Sequence, residues 1–360
     1  MAESVAAAPA VPTADSLSDK SFEHLQAKRY KEALEAGLEA LKLDPKHAHA
    51  QYNVGMAYLE LGEPCRALAP LEQTAAQQPE RYEPQLALSR AYTATFSATR
   101  GAYHAAVAER LGAPNGARTA TDELGGLKAP ADLEKASRAM LEDGNVTLYL
   151  YPEAGKQGCN GKVFSLYAVT KDGQSAGLLL GSLREGDTLK LTRAEPGRYW
   201  LKSPPLYTVY VSPSYNWRLF SFQDGRLSMT LFGGSDSVES EDPPIIEGQT
   251  VSAARQNTAS GATTKVTRYT LGGNPVVGTV SDEETQAFGG VKAIGDTIAI
   301  RIAPEGRPGI TQEALNYSRP LTGKVQVLKG GKPVPLSDVK IGSLVLVRDS
   351  KQQGLIIELR

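Results

Sequence analysis

The chain reads as a multi-domain α+β protein: an N-terminal α-helical solenoid, then all-β modules forming a sandwich and a small barrel or compact sheet. Three observations predict this. Residues in the first third recur at a spacing of 34: Ala33 and Leu34 return as Ala67 and Leu68, Pro45 as Pro79, and Gly55 and Tyr58 as Ser89 and Tyr92. That period belongs to helix–turn–helix repeats, which stack into a curved groove able to hold another protein's segment. From Asn145 the apolar period becomes two, the mark of strands. A Ser-, Gly- and Asp-rich stretch then divides the strand-like region.

Bulk properties narrow the function classes. The 360 residues suffice for two or three separate cores. Lys and Arg total 39 against 40 Asp and Glu, a net charge of -1. A general nucleic-acid binder needs a basic surplus, so no nucleic-acid partner is expected, although a local basic patch stays compatible. No apolar run reaches the roughly 18 residues of a membrane-spanning helix. Residues 1–15, rich in Ala, Pro, Ser and Thr, lack the basic and apolar regions of a signal peptide and read as a flexible tail. The chain as encoded is therefore expected in the cytoplasm. A bacterial periplasm or cell envelope is the alternative if a leader was removed. Cys65 and Cys159 fall in different predicted domains and form no CxxC, so neither a disulfide framework nor a structural zinc site is expected.

Residues 16–111 carry the repeats. In the best unit, residues 48–80, Gly55 and Ala67 are the small residues where two helices meet. Val54, Tyr58, Leu68 and Leu71 fill the gaps beside them, Gly62 suits the inter-helix turn, and Pro79 suits the stop. The preceding unit keeps Tyr30, Ala33, Leu34, Ala40 and Pro45, with Ser21 matching Gly55 and His24 matching Tyr58. The third keeps Leu88, Ser89 and Tyr92, then has Gly101 where the second-helix Ala belongs. That departure predicts a helix with shifted boundaries and a degenerate or capping repeat.

On these residues the region resembles the tetratricopeptide repeat family, over roughly a quarter of the chain. The resemblance implies that first helices line a concave, partner-binding face. Helical spacing brings Tyr52, Asn53, Met56 and Leu59 near one face, and Phe22 and Arg90 join them as groove candidates. An amide such as Asn53 can both donate to and accept from a bound backbone. In the family's chaperone-tail binders an Asn at this place works with lysines and an arginine that clamp a carboxylate. Here the matching places are Ser18, Phe22, Glu83 and Ala87, so a carboxylate clamp is not expected. Phe22, Met56 and Leu59 imply a more apolar groove, with Met56 and Leu59 equally compatible with the helical core.

Residues 112–143 read as a linker, with a short helix after Pro130 that Asp132 can cap. Residues 144–232 read as a β-sandwich, with KDGQ (171–174) and QDGR (223–226) as hairpin turns. Within it EGDTLKLTRAEPGRYWLKS is similar to PEGA-like and related small sandwich modules of bacterial envelope proteins, through Glu195, Pro196, Gly197, Arg198 and Tyr199. Residues 233–263 read as a loop or linker, and 264–360 as a C-terminal β domain. Gly186, Gly295 and Gly342 each precede an alternating strand and are expected to supply turn geometry.

The search for chemistry is negative. GKQGCNGKV (155–163) fails as a phosphate loop, because Lys156 stands at the first Gly place and Val163 at the Ser/Thr place. The four histidines, His24, His47, His49 and His104, all lie in the repeat region. This excludes a Ser–His–Asp triad built within the β half. His47 and His49 form an HxH without further ligands and are expected as surface residues. Asp236, Glu239, Glu241 and Asp242 lack the spacing of a calcium loop. Tyr199, Trp200, Tyr207, Tyr210, Tyr215 and Trp217 can stack on a sugar or fill a sandwich core, and the core is favoured. The expectation is a non-enzymatic adaptor or assembly factor of bacterial origin, without cofactor or metal, that binds a protein partner and belongs to a larger complex. The alternatives are a structural subunit using its repeats for fixed packing, and an envelope carbohydrate-binding protein.

Overall fold

The computed structural model describes residues 11–114, 127–159, 161–183, 189–204, 215–232, 235, 237–240, 242–256, 263–272, 277–302 and 316–360. They form three helix pairs followed by three β-sheets, a multi-domain α+β fold. The contacts divide into two compact units. The first comprises Met1–Ala131, Tyr151–Tyr167 and Ala176–Leu183; the second comprises Asp132–Leu150, Ala168–Ser175 and Arg184–Arg360. Residues 144–232 are thus shared between both.

In the first unit the helices run α1 (Ala14–Gln26), α2 (Tyr30–Leu43), α3 (Ala48–Glu60), α4 (Pro64–Gln77), α5 (Tyr82–Ala94) and α6 (Ala98–Arg110). Every helix starts 34 residues after its counterpart in the previous pair, so the boundaries of α6 are not shifted as expected. Local chemistry sets the ends. Thr13 and Ser16 form a reciprocal capping box for α1, and Pro64 opens α4 at a position where its missing N–H is harmless. The turn inside each pair has one residue in the left-handed region, again at the period: Lys28 (φ 57°), Gly62 (φ 76°) and Phe96 (φ 63°). Gly101 occupies the seam position of Ala33 and Ala67, facing α5. A Cβ on it would lie 2.6 Å from Thr93 Oγ1 and 3.3 Å from the Ser89 carbonyl.

The helical core holds Val54, Tyr58, Ala67, Leu71, Ala87, Leu88, Ala91 and Tyr92. Two cation–π contacts repeat at the period, Arg66 over Tyr58 at 4.3 Å and Arg100 over Tyr92 at 3.9 Å.

A four-stranded antiparallel sheet runs in the order β1 (Ala139–Asp143), β2 (Val146–Gly158), β3 (Gly161–Thr170), β4 (Ser175–Ser182). The expected helix after Pro130 survives only as α7 (Leu133–Ala136), and Asp132 makes no side-chain cap to it. The rest of that stretch is β1, because the two-residue loop Gly144–Asn145 folds it back in register on β2, Asp143 facing Val146. The first unit also contains a disulfide between Cys65, at the start of α4, and Cys159, just after β2, with Cα atoms 5.4 Å apart. This overturns the expectation of no disulfide. Separate sequence regions kept the two cysteines 94 positions apart, and only the fold brings them together.

In the second unit a five-stranded sheet has the order β10-β7-β6-β5, with β8 beside β7. Its strands are β5 (Lys190–Glu195), β6 (Arg198–Ser203), β7 (Tyr215–Gln223), β8 (Arg226–Met229) and β10 (Val238–Ser240). Asp224 (φ 52°) and Gly225 (φ 71°) form the two-residue turn joining β7 to β8, as the Asp-Gly signal predicts.

The larger sheet contains β9 (Leu231–Phe232), β11 (Ile245–Glu247), β12 (Thr250–Gln256), β13 (Thr264–Gly272) and the long β14 (Val277–Ile294). It continues through β15 (Thr297–Arg301), β16 (Asn316–Pro320), β17 (Val325–Lys329), β18 (Lys332–Pro333), β19 (Leu344–Ser350) and β20 (Gly354–Leu359). Strands β10, β11 and β12 lie within 233–263, for which the composition suggests a loop or linker; Val238, Val251 and Ala253 are buried, while Ile245 stays 63% exposed. Trp200, Trp217 and Leu219 from the smaller sheet share one core with Val251, Ala253 and Leu271 from the larger, a sandwich. Strands β14 to β20 curl around a second core that includes Val291, Ile300, Tyr317, Val327, Val345, Val347 and Ile357. Gly342 does take the left-handed region (φ 88°), whereas Gly295 does not, and Gly186 lies outside the described residues.

Two carboxylates are buried in this sheet. Arg268 on β13 reaches Asp282 at 3.0 Å and Glu284 at 3.3 Å on β14, and Ser350 donates to Asp282. The cation and the hydroxyl offset the desolvation of both acids.

Candidate functional site

The first helices α1, α3 and α5 frame a cavity of about 230 Å³. Helix α1 contributes Ser18, Asp19 and Phe22, and α3 contributes His49, Tyr52 and Asn53. Gln78 and Arg81 from the preceding turn, with Glu83 and Pro84 of α5, complete it. Every lining residue comes from the helical repeats.

Of the groove candidates, Phe22, Tyr52 and Asn53 meet in this cavity, while Met56, Leu59 and Arg90 do not line it. Phe22 is 49% exposed, unusual for a phenylalanine on a packed helix. Asn53 is buried and donates through Nδ2 to the Ser18 carbonyl at 3.0 Å, which ties α3 to α1 and fixes the cavity floor. Met56 and Leu59 pack against the helical core. Arg90 pairs with Glu60 at 2.8 Å, bridging successive repeats.

The residues not singled out from sequence supply the polarity. Arg81 and Glu83 pair at 2.9 Å, and this contact holds the Glu83 carboxyl below its ordinary range. Asp19 is exposed and has no ion-pair partner among the described residues. The Tyr52 hydroxyl likewise has no hydrogen-bond partner there. Burial, then the nearby Glu83, raise its pKa, so it stays protonated and can donate. A signal for Asp19 existed: it stands one period before Asn53.

The histidines have structural roles. His47 caps α3, accepting from the Ala50 amide at 3.1 Å and meeting Asp15 at 2.9 Å. His24 accepts from Arg29 at 2.9 Å. His104 is buried, stacks on Tyr92 and bonds Gln85 at 2.8 Å. Burial, with Arg100 adding, lowers its pKa to about 3. His49 alone lines the cavity.

Elsewhere, Trp200 and Trp217 lie in the sandwich interior, and Tyr199, 1% exposed, is buried on the opposite face of β6 where it donates to Asp143, which removes all three from any sugar-stacking surface. Tyr207 and Tyr210 lie outside the described residues, as do Asp236 and Glu241. Glu239 pairs with Arg255. No described helix is long and apolar enough to cross a membrane.

No family model and no curated protein matches the chain. Solved structures match its N-terminal helical region. The first TPR domain of human RPAP3 is 18% identical, with a TM-score of 0.28, covering 29% of this chain and 84% of that one. MamA of Desulfovibrio magneticus is 24% identical, with a TM-score of 0.27, covering 28% of this chain and 56% of that one. The Yersinia enterocolitica type III secretion chaperone SycD, solved with a peptide of the translocator YopD, is 14% identical, with a TM-score of 0.26, covering 28% and 78%.

Proposed function

We propose that this chain is a non-enzymatic adaptor whose helical groove holds a segment of a partner protein. The observation that carries the reading is the cavity framed by α1, α3 and α5. It offers an exposed aromatic ring, Phe22, and a hydroxyl without a partner among the described residues, Tyr52, on a scaffold fixed by buried bonds. A pre-formed, mainly apolar hollow with few polar groups is the form of a recognition site. The β modules then serve as the part that docks to a larger complex.

We infer further that the adaptor works in an oxidising compartment, the bacterial periplasm or envelope, rather than in the cytoplasm. The Cys65–Cys159 bond supports this, since such bonds persist mainly outside the reducing cytosol.

Display of short random peptides against the full chain tests the groove. Enriched peptides should lose at least about tenfold in affinity when Phe22→Ser and Tyr52→Ser are combined, the loss of two aromatic contacts. Replacing Leu43, 58% exposed on α2 and absent from the cavity, should leave affinity unchanged. Failure to enrich any peptide, or equal binding by the double variant, would overturn the reading.

A further inference from the structure

The cavity's charges suggest which side chain it accepts. Two of its walls are aromatic, Phe22 and Tyr52, and aromatic faces attract cations. Of its charged groups, Arg81 and Glu83 neutralise each other at 2.9 Å. That leaves the Asp19 carboxylate as the lining charge with no ion-pair partner among the described residues. On the same helix Glu23, one turn further on, is exposed as well, while Asp15 already meets His47 at 2.9 Å. An acidic partner segment would face this rim and gain nothing from Arg81, which Glu83 already holds. A purely apolar one would cover Asp19 and Tyr52 without satisfying either.

We propose that the pocket takes a basic side chain, lysine or arginine, from the partner segment. Its methylenes lie along Phe22 and Tyr52, and its cationic head meets Asp19. This rests on the groove reading and adds the partner's chemistry to it. It is the opposite of a carboxylate clamp, whose cationic places are held here by Ser18, Phe22, Glu83 and Ala87.

The peptide selection provides the test. Enriched sequences should share a lysine or arginine. A synthetic peptide from that set should weaken about tenfold when the basic residue becomes norleucine, which keeps length and apolarity, because a cation–π contact and a partly exposed ion pair together are worth roughly that factor. Asp19→Asn should remove most of that difference, and Asp19→Lys should reverse it. Raising the salt concentration should weaken the lysine peptide and spare the norleucine one. Enrichment without basic residues, or norleucine binding as well as lysine on the wild-type chain, would overturn this proposal and leave the groove reading intact. Failure to enrich anything would overturn both. Thermal melting of the Asp19 variants separates lost affinity from lost fold.

Discussion

The helical repeats and the C-terminal sheets bury polar groups by different rules. In the repeats, small residues line the helix seams and buried side chains bond to nearby carbonyls: Ser21 to Ala33 at 2.6 Å, and Asn53 to Ser18 at 3.0 Å. The contacts are local or one repeat apart, and most follow a single period. In the larger sheet, large apolar residues fill the core, and two buried acids share one arginine, with Gln286 donating to Glu284 and Ser350, 68 positions away, donating to Asp282. Within the helices the contacts are modest and repeated, and the Cys65–Cys159 bond is the long-range exception; in the sheet the buried Ser350–Asp282 bond is long-range.

Breaking the contacts that bridge distant segments should therefore have the largest effects. Replacing Cys65 and Cys159 together by serine releases a loop with a separation of 94 residues. It should destabilise the first unit by about 4–5 kcal/mol on the chain-entropy account. The loss of the far-ultraviolet helical signal in urea checks this. Arg268→Met leaves Asp282 and Glu284 buried without a cation and should destabilise the second unit by about 3–5 kcal/mol. Both tryptophans lie in that unit, so their fluorescence reports it separately. Unfolding that stays fully coupled between the two signals in both variants would remove the distinction drawn here.

A pH experiment sharpens the comparison. Burial holds His104 neutral in the folded state, with its pKa lowered to about 3. The unfolded chain binds that proton near pH 6.5, so the contribution is complete above about 6.5 and falls as pH drops towards 3. The slope is ~1.4 kcal/mol per pH unit for one proton. His104→Gln should flatten the pH dependence of the helical signal while leaving that of the tryptophans unaltered.

The smallest effects concern the turns. Lys28 and Gly62 occupy the same left-handed position in successive repeats. Lys28→Gly should stabilise the first unit by about 1 kcal/mol and Gly62→Lys destabilise it by a similar amount. Thermal melting checks both.

Legibility from sequence follows the same divide. The repeats were readable because one spacing fixes seams, turns and helix starts together. Even Gly101, which suggests a shift, leaves the helix starts at the period and marks only a seam where a Cβ would meet Thr93. The Asp224–Gly225 turn was readable because its dipeptide carries its own geometry. Strand β1 was not, because five residues give too short a pattern to separate strand from helix; its partner decides. The disulfide was not, since pairing depends on the fold. In the cavity, Tyr52 and Asn53 followed from helical spacing, and Phe22 from the place it matches in the repeat family. Asp19 was missed because an exposed acid on a helix resembles any solvated residue until its neighbours are paired off. Met56 and Leu59 showed the converse: the same periodicity serves core and groove alike.

Amide hydrogen exchange on the full chain, with and without a selected peptide, tests the central claim most directly. The account predicts slowed exchange in residues 14–26, 48–60 and 82–94 and none across 245–360. Protection confined to the C-terminal sheet, or no change in the first helices while peptide is bound, would contradict it.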